Sequence, residues 1–509
     1  MKKMCFIVLF FLVNQVLYIT IKNMKFYAIT FILLIFASVA NSQPGTSKNN
    51  IYNVKTFGAN GDSITLDTKA IQTAIDVCNE NGGGTVWVPE GNYIIGTIKI
   101  KSDVTLSLDY GASLLGSEDH KDYPIDNLRN AREGNSECLL YAEDAKNIRI
   151  EGLGVIDGRG LPKFFPKKAG QGGADNRPRL LRFENCKNVN FSGLTYLRPA
   201  FWGLHLVDCS NVHINGVKIN FRNNGSNNDG IDLDGCEDVL IENCDINTGD
   251  DAICLKSSLN PCKNFVVRNC VVTSNTSPLK FGTSSSGGFI NIKVENCYFY
   301  NCPMGAIKLQ LVDGGTMENI EISRIKIVNS GSPIFIRLGN RGRIYTSNTY
   351  TGTKRINGKK SEGASVGSIK NIIIKDLVAE VCYADREQDK KVTYKNVHYK
   401  SEEKTVREKA QAGPIMITGI PGHCIEDVTL ENITISYPGG GTETDASITD
   451  VSEDISRYPE QYFFGVLPSW GAYIRHAKNI QFKNVIMTTR KADKRKKIIL
   501  KDVEGFVNE

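Results

Sequence analysis

Short apolar segments bounded by asparagine, aspartate or glycine recur along most of this chain. Each begins with Asn or Asp, continues with alternating or consecutive Ile, Val, Leu or Phe, and ends at a polar turn residue. The segments start at residues 147, 188, 211, 238, 264, 291, 319, 371, 427 and 479, with spacings of 23 to 28 residues in the middle of the chain. Strands bounded by turn residues and repeated at this period suit the stacked coils of a solenoid. The leucine spacing of leucine-rich repeats is absent, so the pattern predicts an all-β, single-stranded, right-handed parallel β-helix.

One helix is predicted, close to the start of the repeats. Residues 67–80 carry an apolar stripe, with Asp67 as an N-cap and Gly82, Gly83 and Gly84 ending the helix. A helix at this position is expected to cap the open end of the solenoid and cover its core. The recurrent asparagines are expected to form ladders at the turns, since asparagine tolerates left-handed backbone and satisfies polar groups there.

The first residues have a different composition from the rest. Residues 5–21 and 25–41 are apolar, and the second run follows Met24-Lys25 and ends in small residues, as in a signal peptide. Residues 1–43 are therefore interpreted as an upstream extension and signal peptide, with Met24 as the start. A transmembrane hairpin is the alternative, but each run is short for a span. The predicted location is secreted or periplasmic, without stable membrane association after cleavage.

The remaining chain is expected to form one domain. Residues 50–505 are predicted to be the β-helix catalytic domain, and the polar stretches 338–365 and 383–412 are predicted to be insertions between coils. Six of the 14 cysteines end short apolar runs, namely Cys186, Cys209, Cys236, Cys244, Cys270 and Cys297. No CxxC pair is present, which indicates buried packing residues rather than disulfides or a metal site. A net charge of +6 fits an anionic polymer partner, but an ordinary solvated surface explains it equally well.

Two aspartate motifs carry the candidate chemistry. Asn227-Asn228-Asp229 and Gly249-Asp250-Asp251 lie 22 residues apart, about one coil. Side chains alternate along a strand, and neighbouring strands are about 5 Å apart, so the aspartates should lie together on adjacent coils. Clustered carboxylates raise at least one pKa, which supplies the acid and the base that glycoside hydrolysis needs. Turn capping or calcium binding is the alternative.

With these motifs the chain resembles family 28 of the glycoside hydrolases, the polygalacturonase family, over roughly residues 50–490. The segments Phe57–Asp62 and Gly154–Gly158 add to the resemblance. It implies that Asp250 is the general acid and that Asp229 and Asp251 activate water for an inverting displacement. No metal or other cofactor and no nucleic-acid partner is predicted. The expected partner is an acidic polysaccharide or oligosaccharide, bound by a monomer.

The chain departs from the family pattern beside the aspartates. Ser277 stands at the position of the family histidine, and Lys308 and Gln310 replace an arginine and a lysine that normally hold the uronate carboxylate. Lysine lacks the bidentate fork of arginine, so the anion subsite is altered. Lys280 and Lys308, with Lys256 close by, form a lysine row. This row could replace the lost contacts or could form salt bridges with Asp229, Asp232 and Asp250. The predicted substrate-binding residues are Asn227, Lys280, Lys308, Gln310, Trp202, His205, Lys256 and Arg337.

Several further polar and aromatic residues each allow two interpretations. Arg341 and Arg343 could extend an anion clamp with Arg337 or lie on a solvated loop. Trp470 and Tyr473 could wall the cleft or only pack. His205 could bind substrate or orient Asp232.

The predicted function is an exported, polygalacturonase-like hydrolase that degrades pectin. Long loops at 159–178 and 338–365 would close one end of the cleft and favour exo action. One alternative is a hydrolase of rhamnogalacturonan or of a sulfated glycan, and another is a non-catalytic glycan-binding β-helix. A polysaccharide lyase is disfavoured because it needs a calcium site with an Arg or Lys base.

Overall fold

Parallel pairing between successive coils organises the chain. The computed structural model describes residues 50–124, 137–167, 177–222, 225–343, 365–383 and 411–509. Residues Asn50–Glu509 form one compact unit in which parallel strands stack into three faces of a β-helix. The predicted all-β parallel β-helix is confirmed. No helix among the described residues is long and apolar enough to cross a membrane. The predicted signal peptide lies outside the described residues, as do most of the insertions at 338–365 and 383–412.

The first face, here called the site face, carries the aspartate motifs. Its strands are Ile98–Lys99, Cys138–Glu143, Arg179–Glu184, Leu204–Val207, Ile231–Asp234, Ile253–Ser257, Leu279–Ser285, Ile307–Leu311, Ile334–Leu338, Ile415–Thr418, the first part of Ser469–Thr489, and Lys496–Glu504.

Two other faces complete each coil. The strands of the second face are Ile51–Asn53, Gly84–Val88, Val104–Leu108, Lys146–Gly152, Lys187–Ser192, Ser210–Asn215, Glu237–Glu242, Cys262–Arg268 and Val507–Asn508. Those of the third face are Asp62–Leu66, Gly91–Ile95, Ala112–Gly116, Val155–Asp157, Thr195–Leu197, Lys218–Asn220, Asp245–Thr248 and Val271–Ser274. Longer strands run from the second face onto the third at Phe289–Cys302, Thr316–Ser330, Ser368–Val381, Ile425–Tyr437 and within Ser469–Thr489.

The inward slots of the site face stack apolar residues from coil to coil. Ile231 pairs with Ile253, and Leu279 follows in the same row on the next coil and pairs with Ile307. All four are fully buried. This register is fixed because a one-residue slip would turn every apolar side chain of a strand outward.

Asparagine ladders line the turns, as predicted. Asn264 has a φ of 59°, and its side-chain amide donates to Asp238 at 2.9 Å while its oxygen accepts from Asn291 at 3.3 Å. Equivalent links join Asn188 to Asn147 at 2.8 Å and continue along the helix. Each rung satisfies polar groups that stacking would otherwise leave unpaired, at about 1 kcal/mol per bond.

The predicted helix caps the first coils, and a second, short helix lies near the C-terminal end. Helix α1 spans Thr68–Glu80 and buries Ile71, Ala74, Ile75 and Cys78. Asp67 precedes it, but the predicted side-chain cap is wrong, since the Asp67 carboxylate accepts from the backbone N–H groups of Asn60 and Gly61 at 2.7 and 3.0 Å. Helix α2 spans Glu443–Ala446. Short 3₁₀ helices lie at Val54–Phe57, His120–Asp122 and Gln461–Phe464.

The cysteines pack as predicted. Those of the described residues are free thiols, and all but Cys382 and Cys424 are buried. Several donate to the backbone carbonyl two residues earlier, as Cys244 does to Glu242 at 3.1 Å. They therefore fill small positions in the core without forming cross-links.

Candidate active site

The two aspartate motifs lie on adjacent coils at the points where the chain enters the site face. The backbone N–H of Gly230 donates to the carbonyl of Asp251 at 2.8 Å, and that of Ala252 donates to the carbonyl of Ser277 at 2.9 Å. These bonds tie the first motif to the second and the second to the following coil. The backbone therefore sets the separation of the aspartates.

Three carboxylates meet at this place. One oxygen from each of Asp229, Asp250 and Asp251 lies within 4.8 Å of the others. Asp229 and Asp251 are each only 4% exposed, whereas Asp250 is half-buried. The Oδ1 atom of Asp229 is buried and has no hydrogen-bond partner among the described residues. The cluster thus combines one carboxyl group open to a ligand with a buried acceptor that lacks a donor.

Hydroxyl groups of neighbouring side chains hold Asp250 in place. Thr248 Oγ1 and Ser274 Oγ donate to the Asp250 carbonyl at 2.5 and 2.7 Å. Thr276 Oγ1 donates to the Asp251 carboxylate at 2.9 Å and also lies 3.3 Å from that of Asp250. The backbone at Asp250 and the carboxylate of Asp251 are therefore held by side chains from the third face and from the turn that follows it.

The three carboxyl groups have different proton affinities. Burial, together with the charges of Asp250, Asp232 and Asp251, raises the pKa of Asp229 well above its ordinary value. Burial and the charge of Asp251 likewise raise the pKa of Asp250. Burial acts on Asp251 in the same direction, but Lys280 and Lys308 outweigh it and lower the pKa of Asp251. The site therefore holds an ionised carboxylate beside two groups that retain protons more readily.

The aspartate cluster has the carboxylate oxygens of a possible cation site. Calcium takes six to eight oxygen ligands, typically at about 2.3–2.6 Å. Asp251 already receives the ammonium of Lys280 at 2.7 Å on Oδ2 and the Thr276 hydroxyl on Oδ1. A divalent ion would have to displace this ammonium or lie beside it, so the donor set suits proton transfer better than calcium binding.

The predicted lysine row is present, and its lysines are paired with carboxylates of the protein. Lys280 and Lys308 are register partners, 3% and 1% exposed. Lys280 Nζ donates to Asp251 and, at 3.0 Å, to the hydroxyl of Tyr458. Lys308 Nζ lies 2.5 Å from Glu460. Salt bridging was one of the two interpretations of this row. The predicted pairing with Asp232 is made by Lys256 at 3.5 Å, whereas Lys280 pairs with Asp251 and Lys308 with Glu460 instead of with Asp229 and Asp250.

On the N-terminal side, Trp202 packs into the protein. Its ring is 5% exposed and stacks on Phe201 at 4.9 Å, with the edge-on ring of His205 at 4.9 Å. The ammonium of Lys256 lies 4.5 Å from the Trp202 ring and 3.5 Å from the carboxylate of Asp232. His205 is fully buried and is the register partner of Asp232. Stacking of a sugar on Trp202 stays a prediction that the burial of the ring disfavours.

Asn227 and Asn228 hold the first motif in place. Asn227 has a φ of 59°, and its side-chain oxygen accepts from Arg177 at 3.0 Å and from Lys167 at 3.2 Å. The amide of Asn228 donates to the carbonyl of Pro199 at 3.0 Å. The pair anchors the loop before Asp229 on the preceding coil.

Several other predicted residues serve the framework. Arg337 is 1% exposed and donates to the carbonyls of Glu453 and Asp454 at 2.8 and 3.0 Å, so its guanidinium is not open to a substrate anion. Gln310 is fully buried and donates to the Pro459 carbonyl at 2.6 Å. Ser277 donates to the carbonyl of Leu279 at 3.0 Å.

The residues given two interpretations also pack within the protein. Arg341 is buried against Asp313, so it lies neither on a solvated loop nor in the cleft, and Arg343 is half-buried. Tyr473 is fully buried, and Trp470 packs edge-on against Tyr437. For Trp470 and Tyr473 the packing interpretation is the one observed.

Three residues beside the aspartates were missed from the sequence. Thr276 belongs to a turn that carries no recognisable motif, and Tyr458 and Glu460 lie some 180 residues away from Lys280 in a segment without the repeat. The ring of Tyr458 is 44% exposed and lies against the ammonium of Lys280. Tyr458 and Glu460 reach the site only because a later segment lies over earlier coils.

Two curated proteins resemble part of this chain. A probable polygalacturonase of Vitis vinifera is 30% identical over 287 residues, covering 52% of this chain and 58% of that protein. An exo-poly-alpha-D-galacturonosidase of Dickeya chrysanthemi is 28% identical over 309 residues, covering 49% of this chain and 50% of that protein. The chain thus spans about half the length of these curated relatives.

Solved structures share the fold. The exopolygalacturonase of Thermotoga maritima superposes with a TM-score of 0.63 at 24% identity, covering 86% of this chain and 92% of that one. The family 28 exopolygalacturonase of Yersinia enterocolitica superposes with a TM-score of 0.66 at 22% identity, covering 90% and 78%. The sequence profile described as glycosyl hydrolases family 28 matches residues 78–358, more than half of the chain and the part that holds all three aspartates. The chain therefore belongs to family 28 of the glycosyl hydrolases.

Proposed function

We propose that this protein is an exported hydrolase that cleaves glycosidic bonds in an acidic, pectin-type polysaccharide or its oligosaccharides. The observation that carries the proposal is the cluster of Asp229, Asp250 and Asp251, with oxygens within 4.8 Å and opposite pKa shifts. An acid and a base side by side are what glycosidic hydrolysis requires. The names of the relatives in Vitis and Dickeya support a galacturonate-containing substrate.

Each aspartate has a role that its environment supports. Asp250 is the most exposed of the three and its pKa is raised, which suits it to protonate the leaving glycosidic oxygen as the C–O bond breaks. Asp251, whose pKa is lowered, accepts the proton of the water whose oxygen bonds to the anomeric carbon, and Asp229 helps to hold that water. The unpartnered Oδ1 of Asp229 is a ready acceptor for that water.

Inversion of the anomeric centre is part of the proposal. Retention requires a carboxylate that attacks carbon, but both oxygens of Asp251 are hydrogen-bonded and Asp229 is 4% exposed. The oxygens of the cluster lie closer than the roughly 6.5–9.5 Å between the carboxyl groups of two-carboxylate inverting enzymes. Here two carboxylates, Asp229 and Asp251, share one water, which differs from the arrangement with a single base. The product anomer is therefore the measurement that decides the stereochemistry.

The decisive experiment compares Asp250→Asn with Asp245→Asn. Asp245 is exposed and lies on the third-face strand of the same coil, so it serves as a matched control. Asp250→Asn is expected to lose about 10²–10⁴-fold in kcat on pectic oligosaccharides while retaining its fold. Proton NMR of the first products should show the inverted anomer. Full activity of Asp250→Asn on every cleaved substrate, or a retained anomer, would contradict the mechanism.

Export, exo action and a monomeric state complete the proposal. Residues 24–43 have the charge, apolar run and small residues of a signal peptide. N-terminal sequencing of the protein recovered outside the cytoplasm should begin after residue 40. Exo action predicts release of small products from chain ends, which gel filtration of digests distinguishes from internal cuts. Sedimentation of the purified protein tests the monomer.

A further inference from the structure

A segment from the C-terminal part of the chain covers the lysine row. Residues 450–464, here called the covering segment, contain no long strand or helix and are held by buried arginines of the site face. Arg475 donates to the carbonyls of Val451 and Ser452 at 2.8 and 2.7 Å, and Arg337 donates to those of Glu453 and Asp454. The first part of the covering segment is therefore anchored to the site face.

The covering segment places one carboxylate between two lysines. Glu460 is 3% exposed, with Oε2 at 2.5 Å from Lys308 and Oε1 at 3.7 Å from Lys280. The preceding residue, Pro459, receives the amide of Gln310 at 2.6 Å. Glu460 is thus held at a defined position and both of its oxygens face ammonium groups.

The charges at this position are already balanced. The two ammonium groups of Lys280 and Lys308 face the two carboxylates of Asp251 and Glu460. A uronate carboxylate placed here would be a third anion against two cations in a buried setting. Burying an uncompensated charge is strongly unfavourable.

We propose that Glu460 determines specificity by occupying the anion position between Lys280 and Lys308. The sugar that binds beside Asp251 is therefore uncharged, and the substrate is a uronate-containing chain with neutral sugars at the cleaved linkage. This inference rests on the proposed function, because it names the substrate class of the same site. Hydroxyl groups of a neutral sugar add no net charge to the balanced cluster.

Two sets of oligosaccharides of equal length test the inference. One set contains only galacturonate and the other alternates galacturonate with a neutral sugar. The wild-type enzyme is expected to show a kcat/KM at least about 10-fold higher on the alternating set. A higher kcat/KM on pure galacturonate would overturn the inference and leave the proposed function intact. Cleavage of neither set, with wild type matching Asp250→Asn, would overturn the proposed function instead.

A substitution tests Glu460 directly. Glu460→Gln removes the carboxylate that pairs with Lys308 and leaves two ammonium groups facing the single carboxylate of Asp251. We expect it to shift the ratio of kcat/KM values toward pure galacturonate by about 10-fold or more. Glu443→Gln is the control, since Glu443 lies in the exposed helix α2. An unchanged ratio in a folded Glu460→Gln protein would contradict the inference.

A double variant keeps the test open if the single one fails to fold. Glu460→Gln combined with Lys308→Met removes both charges of that pair, so no buried lysine is left without its partner there. We expect this variant to keep the wild-type preference for the alternating set. A double variant that gains activity on pure galacturonate would show that the pairing of Glu460 with Lys308 does not set specificity.

Discussion

The ammonium of Lys280 lies 2.7 Å from the carboxylate of Asp251, and both side chains are buried. The two residues belong to adjacent coils, so the stacking register alone brings them together. Lys280 keeps Asp251 ionised although burial favours its protonated form. A lysine outside the aspartate motifs thus controls the charge of the proposed base.

The activity should follow a bell-shaped pH profile whose limbs belong to different aspartates. The base Asp251 has a lowered pKa, so the acidic limb should lie below the ordinary aspartate value of about 3.9. The acid Asp250 has a raised pKa, so activity should fall as the pH rises through that value. Lys280→Met removes a charge that lowers both pKa values, and both limbs should then move to higher pH.

The measurement for Lys280→Met is kcat/KM against pH. Lys263→Met is the control, since Lys263 is paired with Glu237 on the exposed second face. An acidic limb that does not move in Lys280→Met would show that Lys280 does not set the charge of Asp251.

Asp229→Asn should stabilise the protein at neutral pH while lowering its activity. The folded-state pKa of Asp229 is raised, so its contribution to stability is complete below the unfolded value of about 3.9 and is lost as the pH rises through the folded value. Asparagine carries no charge at any of these pH values. We expect Tm to exceed that of wild type by about 2–4 °C at pH 7.5 and by less at pH 4. Calorimetry of both proteins tests this, and a gain that is independent of pH would contradict it.

The exposed ring of Tyr458 is expected to contact the substrate. It is 44% exposed and its hydroxyl receives the ammonium of Lys280. Tyr458→Ala should raise KM about 5- to 100-fold, from the loss of about 1–3 kcal/mol that stacking and apolar burial supply. Tyr458→Phe keeps the ring and should change KM much less. Equal effects of the two substitutions would assign the role to the hydroxyl.

Metal removal is expected to leave activity unchanged. The Asp251 carboxylate is already neutralised by Lys280, so the cluster does not need a cation to bring its carboxylates together. Kinetics after treatment with EDTA, and again after addition of calcium, test this. Loss of activity with EDTA and recovery with calcium would assign the three aspartates to a metal site.

Substitution of one ladder asparagine should separate its two contributions. Asn264 combines a φ of 59° with two side-chain amide bonds. Asn264→Ala loses both features and should cost about 1–3 kcal/mol, whereas Asn264→Gly tolerates the backbone and should cost less. Chemical unfolding measures both, and equal losses would show that the backbone conformation contributes little.

The architecture and the meeting of the three aspartates could be predicted from the sequence alone. Strand periodicity, turn asparagines and buried cysteines are local properties, and they recur once per coil. Because coils stack in register, the spacing between Asp229 and Asp251 was enough to predict that they meet on adjacent coils. The same reasoning placed Lys280 beside Lys308.

The side chains that surround that cluster became apparent only in the tertiary structure. Tyr458 and Glu460 reach the site because the covering segment folds back over coils that precede it by about 150 to 180 residues, and no repeat or motif encodes that contact. Burial also settled which side chains are available, since Trp202 and Arg337 read as binding residues in the sequence but are enclosed in the fold. Periodicity predicts which residues share a row, whereas the partners and charges of a buried side chain depend on contacts between distant segments.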